Sequence, residues 1–254
     1  MLVDSHAHLQ WRNFDKDRGE VIIRAKEADV KYIVNIGYDF EGSKKTIQLA
    51  EKHEGLYAAV GIHPHNASEF DEKVLDNLGR LSGNPKVVAI GEIGLDYYRN
   101  LSPKDAQQKA FEAQMILAQE LKLPVVIHDR DADADTLKTL SKFKGKTDGV
   151  MHCFSGTPEM AEQCIKMDYY ISFAGPITFP NAHKIHETAK SMDLNRILVE
   201  TDCPWLAPQE MRGKRNEPAF LPIIAKKIAN LRDISFDELA EATTINAKHI
   251  FKLS

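Results

Sequence analysis

Eight short runs of β-branched and apolar residues recur along the chain, at residues 2–8, 31–37, 57–63, 87–93, 124–128, 149–153, 169–173 and 196–202. Between them lie stretches whose apolar residues fall three and four apart, among them 14–28, 41–52, 103–121, 134–143 and 158–167, and these read as helices. A strand that alternates with a helix-length connection returns parallel to its predecessor. Eight such units in 254 residues is about 32 residues each, which suits a closed α/β barrel of the (β/α)8 TIM type better than an open doubly wound sheet. The tail, 217–254, reads as two further helices, the second capped by Ser235 with Glu238 three residues on. No linker, repeat or low-complexity segment interrupts the pattern, so one domain over 1–254 is expected.

Ionisable residues gather where these strands end. His6 and His8 end the first, His63 the third, Glu92 comes near the end of the fourth, His128 ends the fifth, His152 lies in the sixth and Asp202 ends the eighth. In a barrel all these ends open on one face, where active sites of the fold are built. Residues two apart on a strand point to the same side, roughly 6.5 Å apart, a span that one divalent ion bridges. The His6/His8 pair alone fits a partly exposed pair on an edge strand equally well. Its weight comes from company, since Glu92 and Asp202 follow apolar stretches in which an unpaired inward charge would be costly. Four imidazoles with two carboxylates suit Zn²⁺ or Mn²⁺, and the carboxylates also admit Mg²⁺. Six ligands exceed the usual three of one catalytic zinc, so two divalent ions are expected, bridged by a carboxylate at about 3.5 to 4 Å.

Seven segments carry a resemblance to a known family: Asp4-Ser5-His6-Ala7-His8, Gly61-Ile62-His63-Pro64-His65, Gly91-Glu92-Ile93-Gly94-Leu95-Asp96-Tyr97, Pro124-Val125-Val126-Ile127-His128, His152-Cys153-Phe154-Ser155-Gly156, Glu200-Thr201-Asp202-Cys203-Pro204-Trp205-Leu206 and Arg215-Asn216-Glu217-Pro218. Nearly end to end and in order, the chain resembles the TatD family of metal-dependent deoxyribonucleases, within the amidohydrolase-like barrels. The resemblance implies His6, His8, Glu92 and Asp202 around one metal, Glu92, His128 and His152 around the other, and Glu92 as the bridge. It implies that His63 contacts the scissile phosphate and that Asp202 orients the water. The implied activity is 3′-5′ exonucleolytic cleavage of single-stranded DNA, with a place in DNA repair. Asn216 and Glu217 belong to a family motif near the mouth, either touching substrate or pinning a loop. The segment Asp129-Arg130-Asp131-Ala132 differs slightly from the family's commoner Ser-Arg-Asp-Ala.

Water bound to such ions has its pKa lowered from 15.7 to about 7, so no protein nucleophile is required. Consistent with this, the chain holds no Gly-x-Ser-x-Gly elbow. Its cysteines, Cys153, Cys164 and Cys203, form no CxxC pair and read as small buried hydrophobes. Strand alternation turns Cys153 and Cys203 away from the site. A formal charge of −4 leaves no broad footprint for nucleic acid, so any contact must be local to the site. No apolar run approaches the roughly 18 residues of a membrane span, and Asp4, His6 and His8 stand where a signal peptide would be apolar, so a cytoplasmic location with no membrane partner is expected.

Local candidates for nucleic-acid contact are Arg212, Lys214 and Arg215 after the eighth strand and Tyr97, Tyr98 and Arg99 after the fourth, with burial of the tyrosines as the competing reading. Trp205 suits either role. Lys142, Lys144 and Lys146 end a helix, where lysines are ordinarily solvated. His53, His183, His186 and His249 read as surface residues. The alternate acids from Asp129 lack the glycine and glutamate of a calcium loop and suit a helix start. Two other functions share the ligand set. One is an amidohydrolase acting on a small amide or lactone, and the other is a non-catalytic metal-binding quality-control protein. Two-metal amidohydrolases often use a carboxylated lysine on strand four, where this chain has Glu92.

Overall fold

The computed structural model describes residues 1–253; Ser254, the last residue of the expected helical tail, lies outside the described residues. Eight parallel strands follow one another in chain order: β1 (Leu2–Ala7), β2 (Val30–Ile36), β3 (Leu56–Val60), β4 (Val87–Asp96), β5 (Val125–Arg130), β6 (Gly149–Met151), β7 (Tyr169–Phe173) and β8 (Ile197–Val199). The ring closes at the seam of β8 with β1. There Ala7 bridges Cys203, and the Asp202 and His8 N–H groups donate to the carbonyls of His6 and Cys203, both at 2.9 Å. The Ser5 hydroxyl spans the same seam to the Val199 carbonyl at 3.0 Å. The expected (β/α)8 barrel is the fold.

Helices α1 (Arg18–Glu27), α2 (Phe40–Lys52), α3 (Glu72–Leu81), α4 (Lys104–Leu121), α5 (Asp133–Lys142), α6 (Pro158–Ile165) and α7 (His183–Ser191) connect successive strands, and α8 (Leu221–Leu231) and α9 (Phe236–Phe251) form the tail. Side-chain caps set several of the starts, with Asp39, Asp71, Thr157 and Ser235 each accepting a backbone N–H of the first turn. The Ser235 cap receives Glu238 N–H at 3.1 Å, as the tail pattern predicts. The first helix starts at Arg18 instead of residue 14. A 3-10 turn, Arg12–Phe14, intervenes to bury the Phe14 ring completely.

Strand alternation divides the core in two. Val3, Val34, Tyr57, Val88, Val126, Val150, Tyr170 and Leu198, one from each strand, form a cluster that fills the barrel. Ala247, Ile250 and Phe251 of α9 join it. Asn246 donates to the Leu194 and Ile197 carbonyls at the start of β8, both at 2.9 Å, and Thr244 to the Met1 carbonyl ahead of β1 at 3.1 Å, so α9 plugs the amino-terminal mouth. The opposite strand faces, among them Leu56, Ile127, Ile171 and Ile197, pack against the helices. With one mouth plugged, the carboxyl ends of the strands are left as the face on which a site can open.

At that face the strand lengths differ from the sequence expectation. β4 runs on to Asp96, because Gly94, at φ +134°, lets it come so close to β5 that a Cβ there would strike the His128 carbonyl. β3, β6 and β8 stop short, leaving His63 three residues beyond its strand, His152 one and Asp202 three. Asp202 sits at φ 54° where the chain turns out of the ladder. Backbone bonds still tie these residues to the barrel, from His152 N–H to the Ile127 carbonyl at 3.0 Å and from His63 N–H to the Tyr38 carbonyl at 2.9 Å.

Candidate metal centre

Glu92 stands at the middle of the face, 4% exposed, and its two carboxylate oxygens look in different directions. Oε2 faces the β1 pair, with His6 Nε2 at 3.5 Å and His8 Nε2 at 3.6 Å. Oε1 faces His128 Nδ1 at 2.8 Å, His152 Nε2 at 2.9 Å and His63 Nε2 at 3.4 Å. Asp202 Oδ1 completes the first group, 3.8 Å from His6 Nε2 and 3.5 Å from His8 Nε2. The structure thus brings together all seven residues singled out from the sequence. Three sets within them, His6/His8/Glu92, His6/His152/Asp202 and His63/Glu92/His128, place one donor atom from each residue within 4.8 Å of the others.

What each imidazole presents to this centre follows from what its other nitrogen does. His8 Nδ1 lies 2.9 Å from the Ile36 carbonyl, His152 Nδ1 lies 3.1 Å from Glu200 Oε1, and His128 Nε2 lies 3.2 Å from Asp96 Oδ2. Carbonyls and carboxylates only accept, so each of those nitrogens carries the hydrogen and the nitrogen facing Glu92 is left with a lone pair. A lone pair set 2.8 to 2.9 Å from a carboxylate oxygen requires something electropositive between them. Protons meet that need in the metal-free chain. Burial opposes protonation, but Asp96 and Glu92 raise His128, and Glu92 and Glu200 raise His152 well above an ordinary imidazole. Burial likewise works against ionisation of Glu92, yet His152, His63 and His128 hold its carboxyl well below the usual range. No ion pair among the described residues joins Glu92 or Asp202 to a lysine or arginine. The donor set therefore fits divalent cations, which would replace those protons.

His63 differs from the rest. Its Nδ1 accepts the His65 N–H at 3.1 Å, which places the hydrogen on Nε2, toward the centre. Burial lowers it to about 4, so it is a neutral donor at pH 7.

Three carboxylates to which the sequence reading gave no role hold these groups in place. Asp96 spans His65 at 2.8 Å and His128. Glu200, fully buried, accepts from the Cys153 N–H at 2.8 Å as well as facing His152. Asp4 ties β1 to the β8 loop through the Thr201 hydroxyl at 2.6 Å and N–H at 2.9 Å, and burial raises it to about 7. All three lie inside motif segments, and their signal was a charged residue in an otherwise apolar stretch. Glu200→Gln is expected to cut metal affinity roughly 10- to 100-fold at the His152 side by freeing that ring. Titration calorimetry against wild type would read this as one weakened site beside one unchanged.

Above the cluster opens a cleft of about 900 Å³. Cys153 lines it, contrary to the expectation that alternation turns it away. Cys153 lies past the end of β6 at φ 43°, where the alternation of a strand no longer applies. Burial pushes its thiol well above the ordinary range, which suits an inert wall and not a nucleophile. Cys203 is buried as expected.

The rim candidates separate. Arg99 and Trp205 line the cleft, and so does Arg130 at the end of β5, a residue outside those candidates. Tyr97 is held to the side, its hydroxyl donating to Asp135 at 2.9 Å, while Tyr98 is exposed beneath Arg130. Arg215 does not line the cleft. It grips Asp17 at 2.6 Å and the Asn13 carbonyl at 2.6 Å and lies over the Phe14 ring, so it anchors the loop after β8. Arg212 lies over Phe179. Asn216 and Glu217 also pin that loop, Asn216 donating to the Thr201 and Trp205 carbonyls at 2.7 and 2.6 Å and Glu217 pairing Arg24 at 2.6 Å. Lys142 pairs Glu112.

Hydrogen bonds from Arg215 hold Asp17 at about 2, so that contact stabilises the fold above pH 4 or so and fades as pH falls toward 2. Because both groups are partly exposed, Arg215→Ala is expected to cost about 1 kcal/mol or less. Its clearer sign would be faster hydrogen exchange confined to residues 203–217.

Comparison with known proteins shows the family. Residues 3–252 match the family described as TatD related DNase. The chain is 45% identical over 256 residues to the metal-dependent hydrolase YabD of Bacillus subtilis, covering 100% of both. It is 38% identical over 259 residues to the 3′-5′ ssDNA/RNA exonuclease TatD of Erwinia tasmaniensis, covering 99% of this chain and 100% of that one. The crystal structure of YjjV, a TatD homolog from Escherichia coli, superposes with a TM-score of 0.94 at 30% identity, over 100% of this chain and 98% of the other.

Proposed function

The chain belongs to the TatD related DNase family, and on that premise we propose that it is a metal-dependent exonuclease, working as a single domain, that removes nucleotides from the 3′ end of single-stranded DNA or RNA. The observation that carries the reading is the division of Glu92, one oxygen toward His6 and His8 and the other toward His128 and His152. These residues would hold two divalent cations, Mg²⁺, Mn²⁺ or Zn²⁺, one with His6, His8 and Asp202 and the other with His128 and His152, with Glu92 shared between the two groups. Bound there, such a pair would supply Lewis-acid polarisation of a phosphoryl oxygen and a more acidic water.

The protein groups do the rest. His63 offers a neutral N–H toward Glu92 from the cleft wall, where it donates to a phosphoryl oxygen as negative charge develops. Asp202, at the cleft floor on the β8 side, orients the attacking water and accepts its proton. Asp96 and Glu200 fix the rings of His128 and His152 and so keep the two halves in register.

The test uses 5′-labelled single-stranded DNA, the matching RNA and a phosphomonoester side by side with Mg²⁺ or Mn²⁺. The expected result is a ladder shortening from the 3′ end on the oligonucleotides. Intact oligonucleotides beside hydrolysis of a cyclic amide or lactone would favour the amidohydrolase reading instead.

A further inference from the structure

The cleft has two unlike walls, and the ring order sets them on opposite sides of Glu92. Trp11, Tyr38 and Trp205 follow β1, β2 and β8, three adjacent strands. They make one aromatic surface, with Trp11 stacked on Tyr38 at 4.6 Å between ring centroids and Trp205 edge-on to both Trp11 and His8 at 5.2 Å. Arg99 follows β4 and Arg130 ends β5, the strands across the ring from β8 and β1. Both arginines are exposed, and they are the only lysines or arginines among the described residues lining the cleft. Trp205 is 43% exposed in spite of its neighbours, a large indole face left open on the wall of a polar site.

Resting on the exonuclease reading, we propose that the aromatic wall, with Trp205 at its open edge, stacks the base of the 3′-terminal nucleotide, and that Arg99 and Arg130 take the phosphates of the strand leading away from it. The chemistry of a strand end matches the asymmetry of the walls. Once the scissile phosphate lies over Glu92, the terminal nucleoside has no further phosphate on its far side, so its wall needs no cation. The other side carries a phosphate at every nucleotide and meets the two guanidinium groups, which suit such oxygens. Every base has a π face, so a stacking wall accepts any of the four without reading its edges, as removal of successive nucleotides requires. The His8–Trp205 contact also makes the wall continuous with the His6/His8 side of the centre, which sets a stacked base beside the bond to be cut.

The experiment compares kcat/KM on two single-stranded oligonucleotides that differ only at the 3′ end, one with a base and one with an abasic residue, for wild type, Trp205→Ala and Trp205→Phe. Wild type is expected to favour the base-bearing end by roughly tenfold or more, on the order of one base–aromatic stack. Trp205→Ala is expected to lose most of that preference, the rate on the base-bearing substrate falling several-fold further than that on the abasic one, and Trp205→Phe to recover most of it. Equal slowing of both substrates by Trp205→Ala, or an undiminished preference, overturns the stacking site while leaving the exonuclease reading intact. A wild type that cuts neither oligonucleotide overturns both.

Discussion

Glu92→Gln is expected to lower kcat on single-stranded DNA by about a thousandfold or more while the chain stays folded. The substitution keeps the shape of the side chain and removes its charge, and that charge stands among five imidazoles with no lysine or arginine to replace it. A neutral amide presents one oxygen where two are needed, so one of the two groups around Glu92 loses its shared donor. Metal content should fall with activity, from two equivalents per chain to one or fewer by elemental analysis after equilibrium dialysis. A thermal melt near that of metal-free wild type would show that the loss is not unfolding. An enzyme with Gln at this position that cuts as fast as wild type would rule out the proposed role of Glu92.

Removal of divalent cations should be equally plain and should show in stability as well as in rate. In the metal-free chain His128 and His152 must hold protons against burial, whereas a bound cation satisfies several of these donors at once. A ligand present at 100 times its dissociation constant stabilises a folded chain by about 2.7 kcal/mol. For a chain of this length each kcal/mol raises Tm by roughly 2 to 4 °C. EDTA is therefore expected to abolish oligonucleotide cleavage and to lower Tm by about 5 to 10 °C, with Mn²⁺ restoring both. Unchanged Tm on chelation, or full activity in EDTA, would contradict a catalytic metal pair.

The barrel was legible because its constraint is repetitive. Eight apolar runs at near-equal spacing leave few ways to pair, and one inward residue from each strand fills the interior. The strand ends were harder, since where a chain leaves its ladder depends on tertiary partners. His63, His152 and Asp202 lie past their strands, yet they face the centre because hydrogen bonds to neighbouring strands hold the departing backbone. Cys153, two residues past the end of β6, shows where strand parity ceases to hold.

The inner residues of the site could be read from type and position, since imidazoles and carboxylates at carboxyl strand ends have few structural explanations. The groups that aim them could not, because Asp96, Glu200 and Asp4 act through contacts made only after folding, up to 197 residues distant in the chain. The same limit hid the work of Arg215 and Asn216. A basic or amide residue on a rim loop suits substrate contact and loop anchoring alike until Asp17 and the Thr201 carbonyl are found beneath it.

Anomalous scattering from a crystal grown with Mn²⁺ would decide whether Glu92 joins two cations. Two peaks about 3.5 to 4 Å apart are expected, one on either oxygen of Glu92, the first among His6, His8 and Asp202 and the second between His128 and His152. A single peak off the Glu92 carboxylate, or no peak among these side chains, would show that the cluster is not a two-metal centre.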